Sequence, residues 1–437
     1  MTSPPHFIDL KRSIASSHPD FEARATRAWH EIIEELDKVT SVIKKERTDY
    51  IPQIDFNLLD SISQDEIDKV KRRGSVLIRD VVDDAQALGW KDELKVFVKL
   101  NDGVEGIPVD NKQFFQLFWT KSQVQARSHP NLLAATVWLN KLYHAHVNSE
   151  NNEQLANTMK GVDLNTPLTY ADRFRIRKPG ARWTFDFNPP HIDGGTIERW
   201  EDPLFRKCFE DILNGNWRDH DPYALEGRLD ARTSLYGRPN QSSTFRTFQG
   251  WLAMSETGPT QGTLCVFPDL LLSNAYIILR PFFTPTVPSN SKDIYDANNW
   301  KFDISTPDFH GIYSHPEGEG YASLLLSPES HPHLQLDECM ISVPKVNPGD
   351  AVFWHADVVH SVEKEHTGSG DSAVMYIPAF PLTPQNQAYV ERQKASFLSG
   401  QSPPDFSGNG ESTFIGVATA NDVVSKAGRR AMGLQEA

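Results

Sequence analysis

Apolar side chains recur at helical spacing in the first third of the chain. In segment 27–46 they come every three or four positions among charged residues, which predicts an amphipathic helix. Segments 84–100 and 129–144 also show helical patterns, the second with a proline near its start, where a helix accepts one. Segment 75–82 is a short apolar run that predicts a buried strand. We expect the first helix to pack its apolar face on its own domain rather than on a partner.

From about residue 170 the pattern changes to short segments bounded by turn residues. Segment 172–180 alternates between apolar and polar positions and ends in Pro-Gly, which predicts a strand and a turn. Six further short segments are apolar or aromatic and predict strands: 245–255, 262–268, 275–281, 339–344, 350–355 and 373–380. Many short strands with this punctuation are typical of a β-sandwich or barrel.

Two longer excursions interrupt the predicted strands. One covers 196–243 and is part helical, and the other covers 284–319 and is rich in proline, serine, asparagine and glycine. A chain of 437 residues is long enough to bury a substantial core. We expect a helical extension (1–70), one β-rich domain with these two insertions (71–400), and a tail (401–437) that packs on the core.

Composition and charge narrow the classes of partner. The net charge is −14 with no long basic stripe, so we expect no nucleic-acid partner. Cys208, Cys265 and Cys339 are too widely spaced for a zinc motif, and we expect a reducing compartment. The longest apolar stretch, 270–283, contains Arg280 and is too short to span a bilayer. The sequence therefore predicts a soluble, cytoplasmic protein without a membrane partner, and a small-molecule substrate is compatible with this composition. It leaves the oligomeric state open.

The segment PPHIDGG (189–195) carries the clearest candidate chemistry. His-x-Asp alone is weak evidence, because it occurs three times: His18–Asp20, His191–Asp193 and His355–Asp357. On a strand, residues two apart point to the same face, so such a pair can aim an imidazole and a carboxylate at one point. Two histidines and one carboxylate are the ligands of non-haem Fe(II) oxygenases. His360, which follows the predicted strand 350–355, is the candidate for the third ligand.

Longer phrases resemble a known superfamily. HIDGG (191–195) and GDAVFWHADVVH (349–360) resemble the Fe(II)- and 2-oxoglutarate-dependent dioxygenases, and the second phrase resembles their phytanoyl-CoA dioxygenase-like branch. HIDGGTIERW, FRTFQGWLAMS and VMYIPAFP resemble a little-characterised group of bacterial and fungal proteins in that superfamily. The resemblance covers most of the chain. It implies an α+β fold with a mainly β core, a double-stranded β-helix of jelly-roll or cupin type, under an N-terminal helical layer.

The resemblance also implies the metal ligands. His191, Asp193 and His360 would hold Fe(II), and His355 would be structural rather than a ligand. Halogenating relatives replace the carboxylate of this motif with a small residue, so Asp193 favours hydroxylation or a related oxidation. His18–Asp20 lies in a polar N-terminal stretch, where we expect a turn.

2-Oxoglutarate would need a cation for its distal carboxylate, best an arginine. In much of the superfamily this arginine lies on the strand after the second histidine, but segment 361–380 contains no arginine here. Arg246, in an aromatic segment predicted as a strand, is the favoured candidate. Arg232 and Arg173 are the alternatives.

Other residues near these motifs are weaker candidates for the cavity. Those on predicted strands are Thr247, Gln249, Trp251 and Tyr376, and each residue type is more often part of a core. Gln249 and Tyr376 are the ones that we expect to contact the cosubstrate. Arg199 and Trp200 would either shape the substrate entrance or lie in a solvated turn. His331 and His333 are expected in a surface loop.

Three hypotheses follow. The first is a non-haem Fe(II)- and 2-oxoglutarate-dependent dioxygenase that uses O2 to oxidise a small-molecule metabolite. The second is a non-catalytic β-sandwich binding protein, which the missing downstream arginine favours. The third is an iron oxygenase that does not use 2-oxoglutarate. Metal binding separates the second hypothesis from the others, and cosubstrate binding separates the first from the third.

Overall fold

The computed structural model describes residues 4–145, 159–180, 189–236, 241–313 and 323–434. Parts of the two predicted excursions, 237–240 and 314–319, therefore lie outside the described residues. The helices are α1 His6–Ser17, α2 Phe21–Glu46, α3 Gln64–Arg73, α4 Asp84–Leu100, α5 Lys121–Arg127, α6 Pro130–Asn140, α7 Glu198–Glu201, α8 Pro203–Arg206, α9 Glu210–Leu213, α10 Leu270–Leu279, α11 Leu336–Cys339, α12 Pro384–Ser399 and α13 Lys426–Ala431.

The strands are short, with two to six residues each. They are β1 Gln53–Asp55, β2 Ser75–Arg79, β3 Gly106–Ile107, β4 Phe114–Phe115, β5 Asp163–Pro167, β6 Phe174–Arg177, β7 His191–Ile192, β8 Phe248–Ala253, β9 Leu264–Val266, β10 Phe283–Pro285, β11 Trp300–Phe302, β12 Leu324–Leu325, β13 Ile341–Ser342, β14 Ala351–His355, β15 His360–Val362, β16 Ser372–Tyr376 and β17 Pro381–Leu382.

Most strands belong to two large sheets that face each other. The larger sheet has the order β1-β2-β14-β8-β16-β6-β4-β3, and the smaller has the order β12-β7-β15-β9-β13. From β6 to β9, and again from β13 to β16, consecutive strands alternate between these two sheets. Their facing sides meet where the rings of Trp354, on β14, and His360, on β15, lie 5.3 Å apart. The predicted combination of helices with a β-rich core is thus confirmed as a mixed α/β fold with large sheets.

Helix α2 covers this core with its apolar face. Trp29 is fully buried and stacks on Phe283 with ring centroids 4.5 Å apart, and on Tyr276 at 5.1 Å. Ile32 and Leu36 belong to the same buried cluster as the sheet residues. The prediction that this face packs on its own domain is confirmed.

The predicted strand over 275–281 is wrong, because most of this segment lies in helix α10. The carboxylate of Asp269 accepts a hydrogen bond from the backbone N–H of Leu272 and caps the first turn. Nine of the ten helix residues are buried, so no polar face reveals the helical period. A continuous apolar run cannot distinguish a buried helix from a buried strand.

No helix in the described ranges combines the length and the apolar character that crossing a membrane requires.

Most other predicted strands are present but shorter than predicted. Strand β2 ends at Arg79, and β8 begins only at Phe248. The excursion 284–319, for which no strand was predicted, contains β11 and most of β10, and these two strands form an antiparallel pair. Boundaries of this kind depend on pairing partners elsewhere in the chain.

The prediction of a surface loop at His331 and His333 is also wrong. Both side chains are buried. Nδ1 of His333 is 3.0 Å from the hydroxyl of Tyr276, and Nδ1 of His331 is 2.8 Å from the hydroxyl of Ser330. Each of these contacts holds one imidazole nitrogen inside the layer formed by α2 and α10, which the spacing alone does not reveal.

Gly250 lies on β8 and is closely packed against Phe353 of the neighbouring strand β14. A Cβ atom there would lie 2.3 Å from Cδ1 of Phe353 and 2.9 Å from the carbonyl oxygen of Ile377. We predict that Gly250→Ala lowers the free energy of unfolding by about 1–3 kcal/mol through overpacking, as measured by urea denaturation. Gly370→Ala is the matched control, because no atom lies within 4 Å of its Cβ position. Equal midpoints for the two variants would contradict the prediction.

Candidate metal centre

The pairing of β7 with β15 brings two histidines together. His191 and His360 are direct partners in this antiparallel pair, and their ring centroids lie 4.2 Å apart. Asp193 follows β7 directly, before two glycines with positive φ. One ligand atom from each of these three residues lies within 4.8 Å of the others. The structure thus brings together the residues predicted as metal ligands.

Backbone carbonyls orient both imidazoles. Nδ1 of His191 lies 2.8 Å from the carbonyl oxygen of Pro189, and Nδ1 of His360 lies 3.0 Å from that of Val358. Because a carbonyl only accepts, each Nδ1 carries the proton and each Nε2 presents a lone pair. The Nε2 atoms of His191 and His360 lie 3.8 Å and 3.4 Å from the two carboxylate oxygens of Asp193.

The ionisation states suit a metal site. Burial, with His360 beside it, lowers the pKa of His191 to about 4, so this imidazole is neutral at neutral pH. Burial alone would raise the pKa of Asp193, but His360 and His191 lower it well below its usual value. The amide of Gln249 donates to Oδ2 of Asp193 at 3.1 Å. Neutral imidazoles and an ionised carboxylate are the forms that bind a cation.

The three residues lie in a polar cavity of about 260 Å³. Five charged side chains line it within the described ranges: Asp172, Arg173, Arg175, Asp193 and Arg246. Trp251, Trp354, Leu264 and Val362 supply apolar walls. A small concave site with a few converging polar groups is typical of a small-molecule pocket.

Arg175 and Arg246 lie in opposite directions along the sheet from the metal ligands. We take the position of Gln249 on β8 as the metal-ligand level, because its side chain donates a hydrogen bond to Asp193. Four residues further along β8, Ala253 pairs with Val374, which in turn pairs with Arg175 on β6. That is ~13 Å along the strand, at ~3.3 Å per residue. Arg246 lies three residues before Gln249, in the other direction.

The predicted cosubstrate cations have different surroundings. Arg246 lines the cavity, although it precedes β8 rather than lying on a strand. Arg173 also lines the cavity, and its Nε donates to Asp172 at 3.0 Å. Arg232 donates to Asp202 at 2.7 Å and is not among the cavity-lining residues of the described ranges.

The other predicted cavity residues divide similarly. Gln249, Trp251 and Tyr376 line the cavity from β8 and β16. Thr247 does not, because its hydroxyl donates to the side chain of Asn140 at 2.6 Å inside the core. Alternation along β8 places Gln249 and Trp251 on the cavity face. It does not apply to Thr247, because this residue precedes the first residue of β8.

Arg175 is a cavity residue that our sequence reasoning missed. It is buried on β6, and its guanidinium donates to the carbonyl oxygen of Gly262 at 3.1 Å. The signal was present, because Arg173 and Arg175 occupy alternate positions of a predicted strand and must share one face. Nothing in the sequence alone indicates that this face looks toward His191.

Arg199 was predicted at a substrate entrance or in a solvated turn, and both interpretations are wrong. Its guanidinium is buried and donates to Oδ1 of Asp357 at 2.8 Å. It also donates to the backbone carbonyls of Asp193 and Gly194, at 3.2 and 3.4 Å. Arg228 donates to Oδ2 of Asp357 at 2.6 Å. This buried cluster connects the loop after β7 to the connection between β14 and β15.

Trp200 and His355 are buried beside the same cluster. The indole N–H of Trp200 donates to the carbonyl oxygen of Ile278, so Trp200 is not at an entrance. Nδ1 of His355 accepts the backbone N–H of Asp357, and its ring stacks on Tyr143 at 5.5 Å. Burial lowers the pKa of His355 to about 3. These contacts agree with the structural role expected for His355.

The fold and the site together define a mixed α/β protein with a His-Asp-His candidate metal centre in a polar cavity. Comparison with known proteins identifies the particular group: the chain belongs to the Gig2-like family, whose model matches residues 2–434. Its assignment to the phytanoyl-CoA dioxygenase-like branch stays a prediction.

Similar proteins come from bacteria and a fungus. The Escherichia coli (strain K12) protein YbiU is 31% identical over 385 residues, which are 85% of this chain and 82% of YbiU. The crystal structure of GlcNAc Inducible Gene 2 from Candida albicans is 31% identical with a TM-score of 0.84, covering 100% of this chain and 91% of that one. The "Putative Oxidoreductase from Salmonella typhimurium LT2" is 27% identical with a TM-score of 0.78, covering 99% and 98% of the two chains.

The Asp357 cluster generates a testable prediction. Asp357→Asn leaves Arg199 and Arg228 without their buried counter-charge, which costs about 3–5 kcal/mol in comparable pairs. We expect this loss in the free energy of unfolding. We also expect metal affinity about 10–100-fold weaker, since Arg199 no longer holds the loop that carries Asp193. Urea denaturation and metal titration measure the two effects.

Asp371→Asn is the control for the Asp357 variant. Asp371 pairs with Lys95 on the surface, where such a pair contributes at most about 1 kcal/mol. If Asp357→Asn were no more damaging than Asp371→Asn, the cluster would not support the site.

Proposed function

We propose that this protein is a non-haem Fe(II)- and 2-oxoglutarate-dependent dioxygenase that oxidises a small-molecule metabolite with O2. The observation that carries the proposal is the His191–Asp193–His360 group, with both Nε2 atoms directed at one carboxylate in a polar cavity. The alternation of strands between the two sheets supports a double-stranded β-helix for the core. The Salmonella relative bears the name "Putative Oxidoreductase", which points in the same direction.

The donor set fits Fe(II). Two imidazoles and one carboxylate match the ligands of non-haem Fe(II) oxygenases, which leave further coordination positions open. His191 and His360 would each donate an Nε2 lone pair, because the Pro189 and Val358 carbonyls hold their Nδ1 protons. When bound, Fe(II) and 2-oxoglutarate would together supply the activation of dioxygen.

The protein's own residues would position the reactants and exclude water. Gln249 holds one oxygen of Asp193, which leaves the other oxygen available to the metal. Trp251 and Trp354 give the cavity apolar walls that limit access of water to the reacting centre. Tyr376 would offer its hydroxyl to a bound carboxylate.

The distal carboxylate of 2-oxoglutarate needs a buried cation. Arg246, the residue that the sequence favours, and Arg175, which the structure adds, both line the cavity. An arginine fork binds a carboxylate through two parallel hydrogen bonds. Either guanidinium could therefore serve, and their different positions relative to the metal level make the choice testable.

We also propose that the chain divides into 1–70, 71–400 and 401–437, and that the protein is cytoplasmic. Its substrate would be a small molecule, and we expect no nucleic-acid or membrane partner.

An anaerobic titration tests the proposed function. Fe(II) is added to metal-free protein, followed by 2-oxoglutarate, and the visible charge-transfer band of the chelate is recorded. We predict the band in the wild type and its loss in His191→Ala and Asp193→Ala, because each variant removes a ligand. His6→Ala is the control, since His6 is exposed on α1 outside the cavity.

Each outcome of the titration has a separate meaning. If iron binds but no band forms, an iron oxygenase that does not use 2-oxoglutarate replaces the first hypothesis. If no iron binds, the hypothesis of a non-catalytic binding protein replaces both oxygenase hypotheses. A band that survives in His191→Ala would show that the ligand set is wrong.

A further inference from the structure

We infer that the substrate carries a carboxylate that Arg246 binds, while Arg175 binds the distal carboxylate of 2-oxoglutarate. This inference rests on the proposed function and specifies its substrate class. It depends on three features of the cavity: its charge, the surroundings of Arg246 and the positions of the two arginines.

The charge of the described cavity lining favours more than one anion. Three arginines and two aspartates line it within the described ranges. A divalent metal and the doubly charged oxoacid would cancel each other, which leaves one net positive charge. An uncompensated charge is costly where water is partly excluded, so a site of this composition favours one further anionic group.

Arg246 is the arginine available for that group. Arg173 already has a carboxylate partner, Asp172. Within the described ranges, Arg246 forms no ion pair and no side-chain hydrogen bond, and its guanidinium lies 5.4 Å from the centroid of the Tyr170 ring. It is only half-buried, so a ligand that enters the cavity can reach it.

The positions of the two arginines separate the two anions. Arg175 is buried on β6, four residues along the sheet from the level of Gln249. Arg246 lies three residues before Gln249, in the other direction along the chain, and Gln241 and Ser242 line the cavity with it. A five-carbon oxoacid chelated at the metal level can extend toward one of these arginines but not toward both.

The geometry favours a small carboxylate over a phosphate ester. One planar guanidinium matches the two oxygens of a carboxylate, whereas a phosphate adds a third oxygen and more charge. The cavity of about 260 Å³ is small for a ligand pocket, and 2-oxoglutarate would occupy part of it. We therefore expect a small organic acid.

Calorimetric titration of protein saturated with Ni(II) and 2-oxoglutarate tests this inference without turnover. The probes are butyrate, valerate and hexanoate, each paired with its neutral amide, and methyl phosphate. In the wild type we expect the acids to bind at least about tenfold tighter than the amides, as a charge-assisted pair predicts. Arg246→Met should reduce this ratio to about twofold or less, and Arg246→Lys should restore part of it.

Affinity for 2-oxoglutarate, read from the Fe(II) band, tests the division of roles. Arg175→Met should weaken it by at least about tenfold, whereas Arg246→Met should change it by about twofold or less. Arg12→Met is the control for both measurements, because Arg12 is exposed on α1. It should match the wild type.

Several results would overturn the inference. Equal binding of acids and amides by the wild type would remove the anion site, and tighter binding of methyl phosphate would replace the carboxylate with a phosphate. If Arg246→Met weakened 2-oxoglutarate instead, Arg246 would hold the cosubstrate, and the dioxygenase would stand without this inference. Absence of the Fe(II) band in the wild type would instead reject the proposed function itself.

Discussion

The candidate site depends on a single strand pairing. His191 and His360 are far apart in the sequence, and only the antiparallel contact of β7 with β15 places them opposite each other. A shift of one residue in this register would turn one imidazole to the other face of the sheet. The surrounding strands maintain that register, since β12 and β9 flank the pair on either side. Three further features restrict the pairing of β7 with β15. They are the large sheets, the apolar cover of α2 and α10, and the Asp357 cluster.

The sequence predicts the parts of the fold that have one exposed face or clear punctuation. The amphipathic pattern of α2 and the alternation in β6 each identify an element, because polar residues mark the side that faces solvent or a cavity. Helix α10 was predicted wrongly, since burial on all sides removes that mark. Strand ends were also uncertain, because they are set by hydrogen-bonding partners distant in the chain.

The residues of the candidate site also differ in how far the sequence predicts them. His191, Asp193 and His360 were predicted because HIDGG and GDAVFWHADVVH resemble a known superfamily, and the structure brings the three residues together. Arg175 and the Asp357 cluster were not. An arginine on a strand or a carboxylate in a loop acquires its role from what lies across the sheet, and that information is tertiary. From the sequence, Arg199 is expected to be solvated, and only the structure shows that it is paired with Asp357.

The guanidinium of Arg199 has a mechanical consequence. It binds the backbone carbonyls of Asp193 and Gly194 with one nitrogen, and the buried carboxylate of Asp357 with another. The loop that carries Asp193 is therefore linked to the connection that precedes His360. Neither segment can move outward alone without exposing a buried charge, which favours a constant spacing between Asp193 and His360.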